Sequence, residues 1–536
     1  MAIPAAVIAA GWIPFVVVLV LTLLFSGFYV RYFMSKYDSE LSTTLTAIFA
    51  LTVTLLTSAL VPVDIFLVSY MKDTDGRFKD WANSSAVRDE TENTVLIAYY
   101  VLYGIIAFCL FLLLPFMYFF YEEKDEESTC KSRCCTASKY SIVCVLIAAT
   151  FLLVGAFVPT RSNPNSNSTE WKKIEALFGD MASTGIEDAL SFVISIFSLI
   201  GMLGILFYTA YGMSVLPLDL VRGQESAKKE RMQTQAEREE NQRKRQSLRD
   251  KYLNRRSFTS RARRHEDNLV EEDHLLARRE RHLIASENSW FHKCFFLLRP
   301  FEIVLGVVFF LLALLVFISL LLTNIDKAMH SLGYKSGYAL PERHLPNPVD
   351  IVLVYSQKVF PLDYLMMVGI IAYFVLCSMS GIRRIGIWFL WIRMYRIRPR
   401  RTRPQGILMF CMILMFIVLA VNIVLYELTP QYSSFGSQHY VNETARNTTA
   451  HSGDVKQCTT AVSQDFCVVT RMTLLLVRFF YKMWVFGAAY YWLTWVFLGT
   501  FLLGFLIAII KKRRSAISGE VDEDDFDESD DEMIRG

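Results

Sequence analysis

Three aspartates end the same short motif, which consists of an apolar residue, proline, a second apolar residue and aspartate. They are Asp64, Asp219 and Asp363. Proline removes a backbone donor, and aspartate can accept hydrogen bonds from the free N–H groups of a helix start. We therefore expect the three motifs to mark helix breaks at a membrane surface. The alternative is that Asp64, the one nearest to the middle of an apolar segment, lines a polar cavity or a gate.

Motifs of common catalytic sites do not occur in the sequence. It contains no P-loop, no His-Glu-x-x-His, no Gly-x-Ser-x-Gly and no dinucleotide-binding glycine pattern in its proper context. The long apolar segments carry almost no charge, whereas ion-coupled transporters usually bury ionisable groups at mid-membrane. These observations weigh against an enzyme, a primary pump and an ion-driven carrier. We expect no catalytic residue and no metal site, and the sequence identifies no cofactor-binding residue.

Cysteines occur in two clusters with different expected chemistry. Cys130, Cys134 and Cys135 precede the fourth apolar segment without a histidine nearby, so palmitoylation or plain reduced thiols fit them better than a metal. Cys458 and Cys467 share a different loop, which they would close with a disulfide if the compartment is oxidising. The alternative for this second pair is two free thiols.

Membrane-spanning helices are the elements that must position these residues. Of the 536 residues, 53% are hydrophobic, and they form long uncharged blocks. A bilayer core about 30 Å thick requires roughly 20 apolar residues of helix. Nine stretches qualify: 5–30, 45–70, 95–121, 142–159, 189–211, 303–322, 364–380, 406–426 and 483–510. The sequence therefore predicts an all-α polytopic membrane protein.

The distribution of basic residues predicts the orientation of the spans. The first stretch has no basic residue before it and is followed by Arg31 and Lys36, which is typical of an uncleaved anchor with a translocated N-terminus. Nine spans then place the C-terminus in the cytosol. Lys and Arg are about threefold denser in the short loops assigned to the cytosol than in the opposite loops. The loop 381–405 carries eight arginines and no acidic residue.

Glycosylation sequons give an independent test of this orientation. An Asn-x-Ser/Thr sequon marks a surface loop in a secretory compartment. The sequons begin at Asn83, Asn167, Asn442 and Asn447. All four lie in loops that the basic residues place in the lumen or outside the cell. We therefore predict that these four asparagines are glycosylated.

The predicted organisation alternates membrane and soluble parts. Residues 1–211 hold spans one to five, and residues 303–510 hold spans six to nine with a lumenal loop at 427–480. Between them, residues 212–302 form a charged cytosolic loop without Pro or Gly from position 224 to 299, which favours a hairpin of two long helices. The tail 511–536 is strongly acidic and is expected to be disordered.

Two short cytosolic sites suggest regulation. Glu271 and the pair Leu275–Leu276 match the acidic dileucine pattern that clathrin adaptors read. The alternative is that these two leucines pack on the apolar side of a helix, because a sorting signal must be extended to be bound. Ser529 stands among acidic residues in the tail and is a candidate for an acidophilic kinase.

Several strings of residues carry a resemblance to a known family. Leu60–Ser69, Tyr208–Met213 with Leu216–Asp219, Gly381–Phe389 and Thr402–Gln405 resemble the limb-region membrane-receptor family. Further strings, at Phe78–Asn83, Tyr121–Asp125 and Val521–Asp524, are similar to one lysosomal member of it. The likeness extends from the second span to the acidic tail and is weakest in the cytosolic loop.

The resemblance implies a function and a set of partners. It implies a lysosomal membrane protein needed for cobalamin to leave the lysosome, with minor pools at the plasma membrane, the endoplasmic reticulum and clathrin-coated vesicles. The implied partners are an ABC-type cobalamin transporter that the protein brings to lysosomes, a cytosolic cobalamin-processing protein and a clathrin adaptor. Cobalamin would be the cargo and not a bound cofactor. The family has no motif that defines catalytic residues.

Three functions remain in competition. The first is an adaptor that contacts a transporter through its spans. The second is a permease for cobalamin itself, which would need a wide polar path. The third is a cell-surface receptor or endocytic adaptor. The net charge of +3 gives no reason to expect a nucleic-acid partner, so membrane lipid and other proteins, including a second copy in a homodimer, are the expected contacts.

Overall fold

The structure is a computed structural model of the chain. It describes residues 5–35, 40–73, 75–123, 130–157, 185–223, 227–253, 260–288, 290–340, 343–359, 361–389, 392–441, 455–458, 466–481 and 484–510.

Helices make up almost all of the described chain. In chain order they are α1 (Ala5–Phe33), α2 (Leu41–Tyr70), α3 (Ser85–Glu122), α4 (Cys130–Phe157), α5 (Gly185–Gly204, Ile205–Thr209 and Ala210–Arg222 in succession), α6 (Ala227–Leu253), α7 (Ser260–Asn288), α8 (Trp290–His330), α9 (Pro348–Ser356), α10 (Leu362–Ile385), α11 (Pro404–Leu428), α12 (Pro430–Phe435), α13 (Arg471–Tyr481) and α14 (Trp484–Ile510). Two antiparallel strand pairs complete the fold: β1 (Ile387–Phe389) with β2 (Ile392–Tyr395), and β3 (His439–Val441) with β4 (Val455–Gln457).

Nine helices among the described residues are long and apolar enough to cross a membrane: α1 to α5, α8, α10, α11 and α14. Each of the nine predicted stretches falls on one of them, so the predicted fold class is confirmed. The helices extend beyond the apolar stretches because backbone hydrogen bonding continues into polar flanking residues. In α4, for example, the helix begins at Cys130, twelve residues before the predicted span at 142.

The contacts divide the chain into two compact units. One consists of Met1–Ser214 with Leu312–Phe505, and the other of Val215–Leu311 with Leu506–Gly536. In the first unit, burial differs strongly between spans. Of the most apolar stretch of α11, 78% of the residues are buried, and for α2 and α10 the share is 67%. The corresponding share is 17% for α1 and 11% for α4, so these two helices present apolar faces to the surroundings.

The second unit contains the predicted helical hairpin, formed by α6 and α7. Glu230 pairs with Arg279 at 2.8 Å, Arg238 with Asp273 at 3.2 Å and Arg249 with Glu266 at 2.8 Å. As the residue number rises along α6 it falls along α7, so the two helices run antiparallel. Inside the pair, the Asn241 amide donates to the carbonyl of Leu269 at 3.1 Å, and the side chains of Leu269 and Leu283 are buried. The charged composition therefore still yields a packed interface.

Two of the three expected helix breaks at proline are wrong. Pro62 lies inside α2 and Pro217 lies inside the last segment of α5, and both helices continue past them. Proline removes one helical hydrogen bond, and within packed helices of a membrane protein neighbouring groups can compensate for that loss. The expectation is correct only at Pro361, which stands immediately before α10.

Candidate functional site

The described part of the predicted lumenal loop forms a folded layer, which we call the cap (residues 429–441, 455–458 and 466–481). It comprises α12, the β3–β4 pair and α13. Cys458 and Cys467 are joined in a disulfide with Cα atoms 5.9 Å apart. Beside it, the Gln438 side chain donates to the carbonyl of Val468 at 2.7 Å and accepts from the Val468 N–H at 3.0 Å. The cap therefore has an internal structure held by covalent and polar contacts.

Asp64 joins the second span to the cap. Its side chain is 1% exposed, and its carboxylate accepts the Met472 N–H at 2.8 Å, in the first turn of α13. The Tyr99 hydroxyl of α3 donates to the same oxygen at 3.4 Å. Asp64 thus satisfies a helix start, as the sequence pattern suggested, but that helix is 408 residues away in the chain. This arrangement favours a structural role over a cavity or a gate.

Two further buried carboxylates contact α12, one through backbone N–H groups and one through a side chain. Asp350, in α9, accepts the N–H groups of Gln431 at 3.2 Å and Tyr432 at 3.0 Å. Asp363, in the first turn of α10, accepts the Tyr432 hydroxyl at 3.1 Å. Burial raises the pKa of the Asp350 carboxyl, and the two N–H donors oppose that rise. Carboxylates at helix N-termini are favourable because they satisfy free donors and complement the helix dipole.

Two cations also hold the cap. The Lys72 ammonium donates to the carbonyl oxygens of His439, at 3.1 Å, and Phe466, and it also lies 4.7 Å from the ring centre of Phe78. Burial lowers the pKa of Lys72 to about 8. Arg471 of α13 pairs with Glu92 of α3 at 2.5 Å, with both side chains more than four-fifths buried. The cap is therefore anchored to the helices by charges of both signs.

A second tight interface lies between α5 and α10. A Cβ atom added at Gly212 would stand 1.9 Å from the carbonyl oxygen of Cys377, and one added at Gly381 would stand 1.9 Å from that of Tyr208. Between these glycines, the hydroxyls of Thr209 and Ser378 are 2.8 Å apart. Glycine permits such close backbone approach in membrane helices. Two of the strings that carry the family resemblance, Tyr208–Met213 and the segment starting at Gly381, therefore meet at this interface.

The predicted modification sites are only partly described by the structure. Asn83 is exposed in the turn before α3. Asn167, Asn442, Asn447 and Ser529 lie outside the described residues. Cys130, Cys134 and Cys135 lie in the first turns of α4 as free thiols, with Cys130 and Cys135 exposed. Glycosylation at the four asparagines stays a prediction.

The dileucine pattern falls on a helix. Glu271 is exposed and Leu275 and Leu276 are half-buried, all within α7. An adaptor binds such a signal in extended form, so the middle of this helix would have to unfold for recognition. The geometry thus favours the packing alternative, and the sorting role stays a prediction.

Asp350 and Lys72 were missed by sequence reasoning. A weak local signal existed for Asp350, because Asn347-Pro348 before it is a helix start, and the Asn347 side chain does accept the Asp350 N–H at 3.4 Å. No local signal marked Lys72, whose partners lie more than 360 residues further along the chain. Both residues act through contacts that only the folded chain creates.

Taken together, the nine apolar helices and the anchored cap define a polytopic helical membrane protein. The family model described as LMBR1-like membrane protein matches residues 11–272. Similarity to curated proteins extends over the full chain. Identity is 48% to the lysosomal cobalamin transport escort protein LMBD1 of Homo sapiens, covering 98% of each chain, and 48% to that of Mus musculus, covering 99% of each. The chain belongs to the LMBR1-like membrane protein family.

One further relative is named as a transporter and not as an escort. A protein of Nematostella vectensis named "Probable lysosomal cobalamin transporter" is 48% identical over the whole length of both chains. No solved structure matches the chain.

Proposed function

We propose that this protein is a lysosomal membrane escort that binds and targets an ABC-type cobalamin transporter and so enables cobalamin export from the lysosome to the cytosol. The observation that carries this proposal is the full-length identity of 48% to proteins named as lysosomal cobalamin transport escorts. The buried carboxylates support it, because Asp64, Asp350 and Asp363 each engage a backbone N–H or a tyrosine hydroxyl of the chain itself. Carboxylates whose hydrogen bonds are made within the chain stabilise a rigid surface, which is what a binding partner requires.

The proposed orientation places the cap in the lysosomal lumen and the α6–α7 hairpin in the cytosol. The density of Lys and Arg supports this assignment, as does the disulfide between Cys458 and Cys467, which suits an oxidising compartment. Minor pools at the plasma membrane, the endoplasmic reticulum and clathrin-coated vesicles belong to the same proposal, since the protein would pass through these compartments on its route.

The transporter is proposed to contact exposed apolar spans of the first unit. α1 and α4 have the smallest buried shares among the nine candidate spans of the described chain. Their apolar faces can pack against lipid or against the helices of a partner, and helix association in a bilayer depends on such packing. A cytosolic cobalamin-processing protein and a homodimer partner are further proposed contacts.

Copurification tests the escort proposal most directly. The full chain, solubilised in mild detergent, is expected to capture the ABC-type transporter, and cells lacking the chain are expected to lose the transporter from lysosomes. A transporter that reaches lysosomes equally well without this chain would contradict the proposal. A cobalamin-binding assay on each purified protein then identifies which of the two holds the cargo.

A cobalamin permease is the second candidate function, favoured by the name of the Nematostella vectensis relative. Proteoliposomes that contain only this protein discriminate between the two functions. Release of trapped cobalamin from such vesicles would support the permease and contradict the escort. Release that requires the ABC-type transporter in the same vesicles would support the escort.

Substitution of the dileucine pair tests the adaptor contact. We expect the double change Leu275→Ala and Leu276→Ala to shift the protein from lysosomes toward the cell surface, because a clathrin adaptor would no longer bind the signal. Imaging of lysosomal overlap together with surface biotinylation measures the shift. Ile284→Ala, in the same helix and also partly exposed, is the matched control. Equal lysosomal overlap in all variants would leave the two leucines with a packing role only.

Removal of the sequons tests the orientation. We expect each of Asn83→Gln, Asn167→Gln, Asn442→Gln and Asn447→Gln to remove one N-linked glycan, because all four asparagines are proposed to face the lumen. Faster migration on a denaturing gel, abolished by prior glycosidase treatment, measures the loss. If none of the four variants migrates differently from the wild-type chain, the proposed orientation is wrong.

A further inference from the structure

Three side chains with metal-binding atoms converge where α8 ends. Asp326 and His330 are four residues apart on the last turn of α8, so they lie on one face of the helix. His344 reaches them from the segment that precedes α9. One possible ligand atom of each residue lies within 4.8 Å of those of the other two. None of these residues belongs to the cap or to the predicted sites discussed above.

The cluster is already ordered by hydrogen bonds and ring stacking. The Asp326 carboxylate lies 2.9 Å from His330 Nδ1 and accepts the backbone N–H of His344 at 3.2 Å. The two imidazole rings stack with centroids 4.1 Å apart and planes 20° apart. Asp326 is 2% exposed, whereas the His330 side chain is 34% exposed and His344 is exposed. The anionic ligand is thus fixed and the imidazoles can be reached from solvent.

A neighbouring cation does not fill the site. Lys327, the next residue after Asp326, pairs with Glu427 at 2.5 Å, and both of these side chains are largely buried. Asp326 contacts the His330 imidazole and accepts the peptide N–H of His344. A carboxylate in these surroundings would be favoured by an added positive charge.

We propose that Asp326, His330 and His344 bind a divalent transition-metal ion of the zinc class. Two imidazole nitrogens and one carboxylate oxygen are a ligand set typical of zinc, with a fourth position open to water. Metal–ligand bonds of roughly 2.0–2.2 Å in a tetrahedral site place the ligand atoms about 3.4 Å apart. The hydrogen-bonded pair of Asp326 and His330, at 2.9 Å, would therefore have to open slightly, and the exposed His344 side chain would have to rotate so that a ring nitrogen points to the ion. The bound ion would fasten the segment before α9 to the end of α8.

The test uses the purified full chain in detergent, stripped with a chelator and buffered at about pH 7.4. Titration with ZnCl2 is expected to show one saturable site per chain and a rise in the thermal midpoint, since an ion that binds only the folded state stabilises it. Co2+ in place of Zn2+ is expected to give visible d–d absorption typical of nitrogen and oxygen ligands. MgCl2 is expected to have no effect, because Mg2+ prefers oxygen ligands.

Variants connect the binding to the three residues. His344→Ala removes an exposed ligand without opening the core, so the metal-free variant is expected to melt like the metal-free wild type while its zinc affinity falls at least tenfold. His330→Gln is the second variant, with the same expected loss. His274→Ala, exposed on α7, is the control for adventitious binding and is expected to retain the site. No saturable zinc binding by the wild type, or equal binding by His344→Ala, would overturn the proposal.

Discussion

Gly381→Ala is expected to lower the thermal midpoint of the detergent-purified protein by several degrees. The added methyl group would stand 1.9 Å from the carbonyl oxygen of Tyr208, a backbone atom that no side-chain rotation can move aside. Helices α5 and α10 would have to separate by more than 1 Å, and overpacking of this kind costs about 1–3 kcal/mol or more. Separation would also break the contact between the hydroxyls of Thr209 and Ser378.

Gly369→Ala is the matched control for this experiment. Gly369 lies in the same helix, twelve residues earlier, and a Cβ atom there would have no neighbour within 4 Å. Helix propensity alone favours alanine over glycine by roughly 1 kcal/mol in a soluble helix, so this variant should be neutral or slightly stabilised. Gly212→Ala should lower the stability less in the Gly381→Ala background than in the wild type, because both changes open the same interface. Equal midpoints for the Gly381→Ala and Gly369→Ala variants would refute the close approach.

Asp64→Ala is expected to produce the second large effect, a loss of roughly 2–4 kcal/mol of stability. The substitution leaves the buried Met472 N–H without its acceptor, which costs about 1–3 kcal/mol, and it also leaves a cavity. Because Asp64 lies at the contact between α2 and α13, the cap should become susceptible to limited proteolysis. Protease sensitivity of the cap and the thermal midpoint of the purified chain measure the two consequences.

Asp64→Asn separates the structural role from a gating role. Asparagine keeps an oxygen that can accept the Met472 N–H, so we expect it to recover most of the stability that alanine loses. If Asp64 instead served a gate through its charge, the asparagine variant would retain the wild-type midpoint and yet abolish cobalamin export from lysosomes. If cobalamin export falls in proportion to the thermal midpoint across the wild type, Asp64→Asn and Asp64→Ala, the structural role is supported.

The cap is a folded surface outside the apolar spans, in a chain without motifs of common catalytic sites. The backbone donors at its helix starts are satisfied by Asp64 and Asp350, and Asp363 accepts the Tyr432 hydroxyl. The three carboxylates belong to three different helices of the first unit. Each contact ties one part of the cap to one supporting helix. Loss of a single carboxylate should therefore loosen only the part of the cap that this carboxylate contacts. A cap attached at one point only would instead come loose as a whole.

Some of the fold could be predicted from local sequence. Span number and approximate position follow from the length of apolar segments, because the bilayer thickness fixes how many residues must be apolar. The hairpin of α6 and α7 follows from a long run of good helix formers without proline or glycine. In both cases the signal lies within the segment itself.

The predictions that were wrong applied a rule about a single residue type at positions where contacts between helices decide the structure. Pro62 and Pro217 were expected to end helices, yet both stand inside helices that continue. Two glycines of the spans also differ: a Cβ atom at Gly201 would meet the Phe416 carbonyl oxygen, whereas Gly499 has open space around it. Spacing alone does not reveal which face of a helix meets a neighbour.

By itself, the sequence determined the class of the protein, its nine apolar stretches and its charged helical insertion, since these depend on composition and periodicity over short distances. Only the tertiary structure decided the partners of the buried groups: Asp64 with Met472, Lys72 with the carbonyl of Phe466, and Asp326 with His330 and His344. The physical reason is that burial in a medium without water obliges each polar group to find a partner, while the choice of partner depends on which distant segments the packed helices bring together.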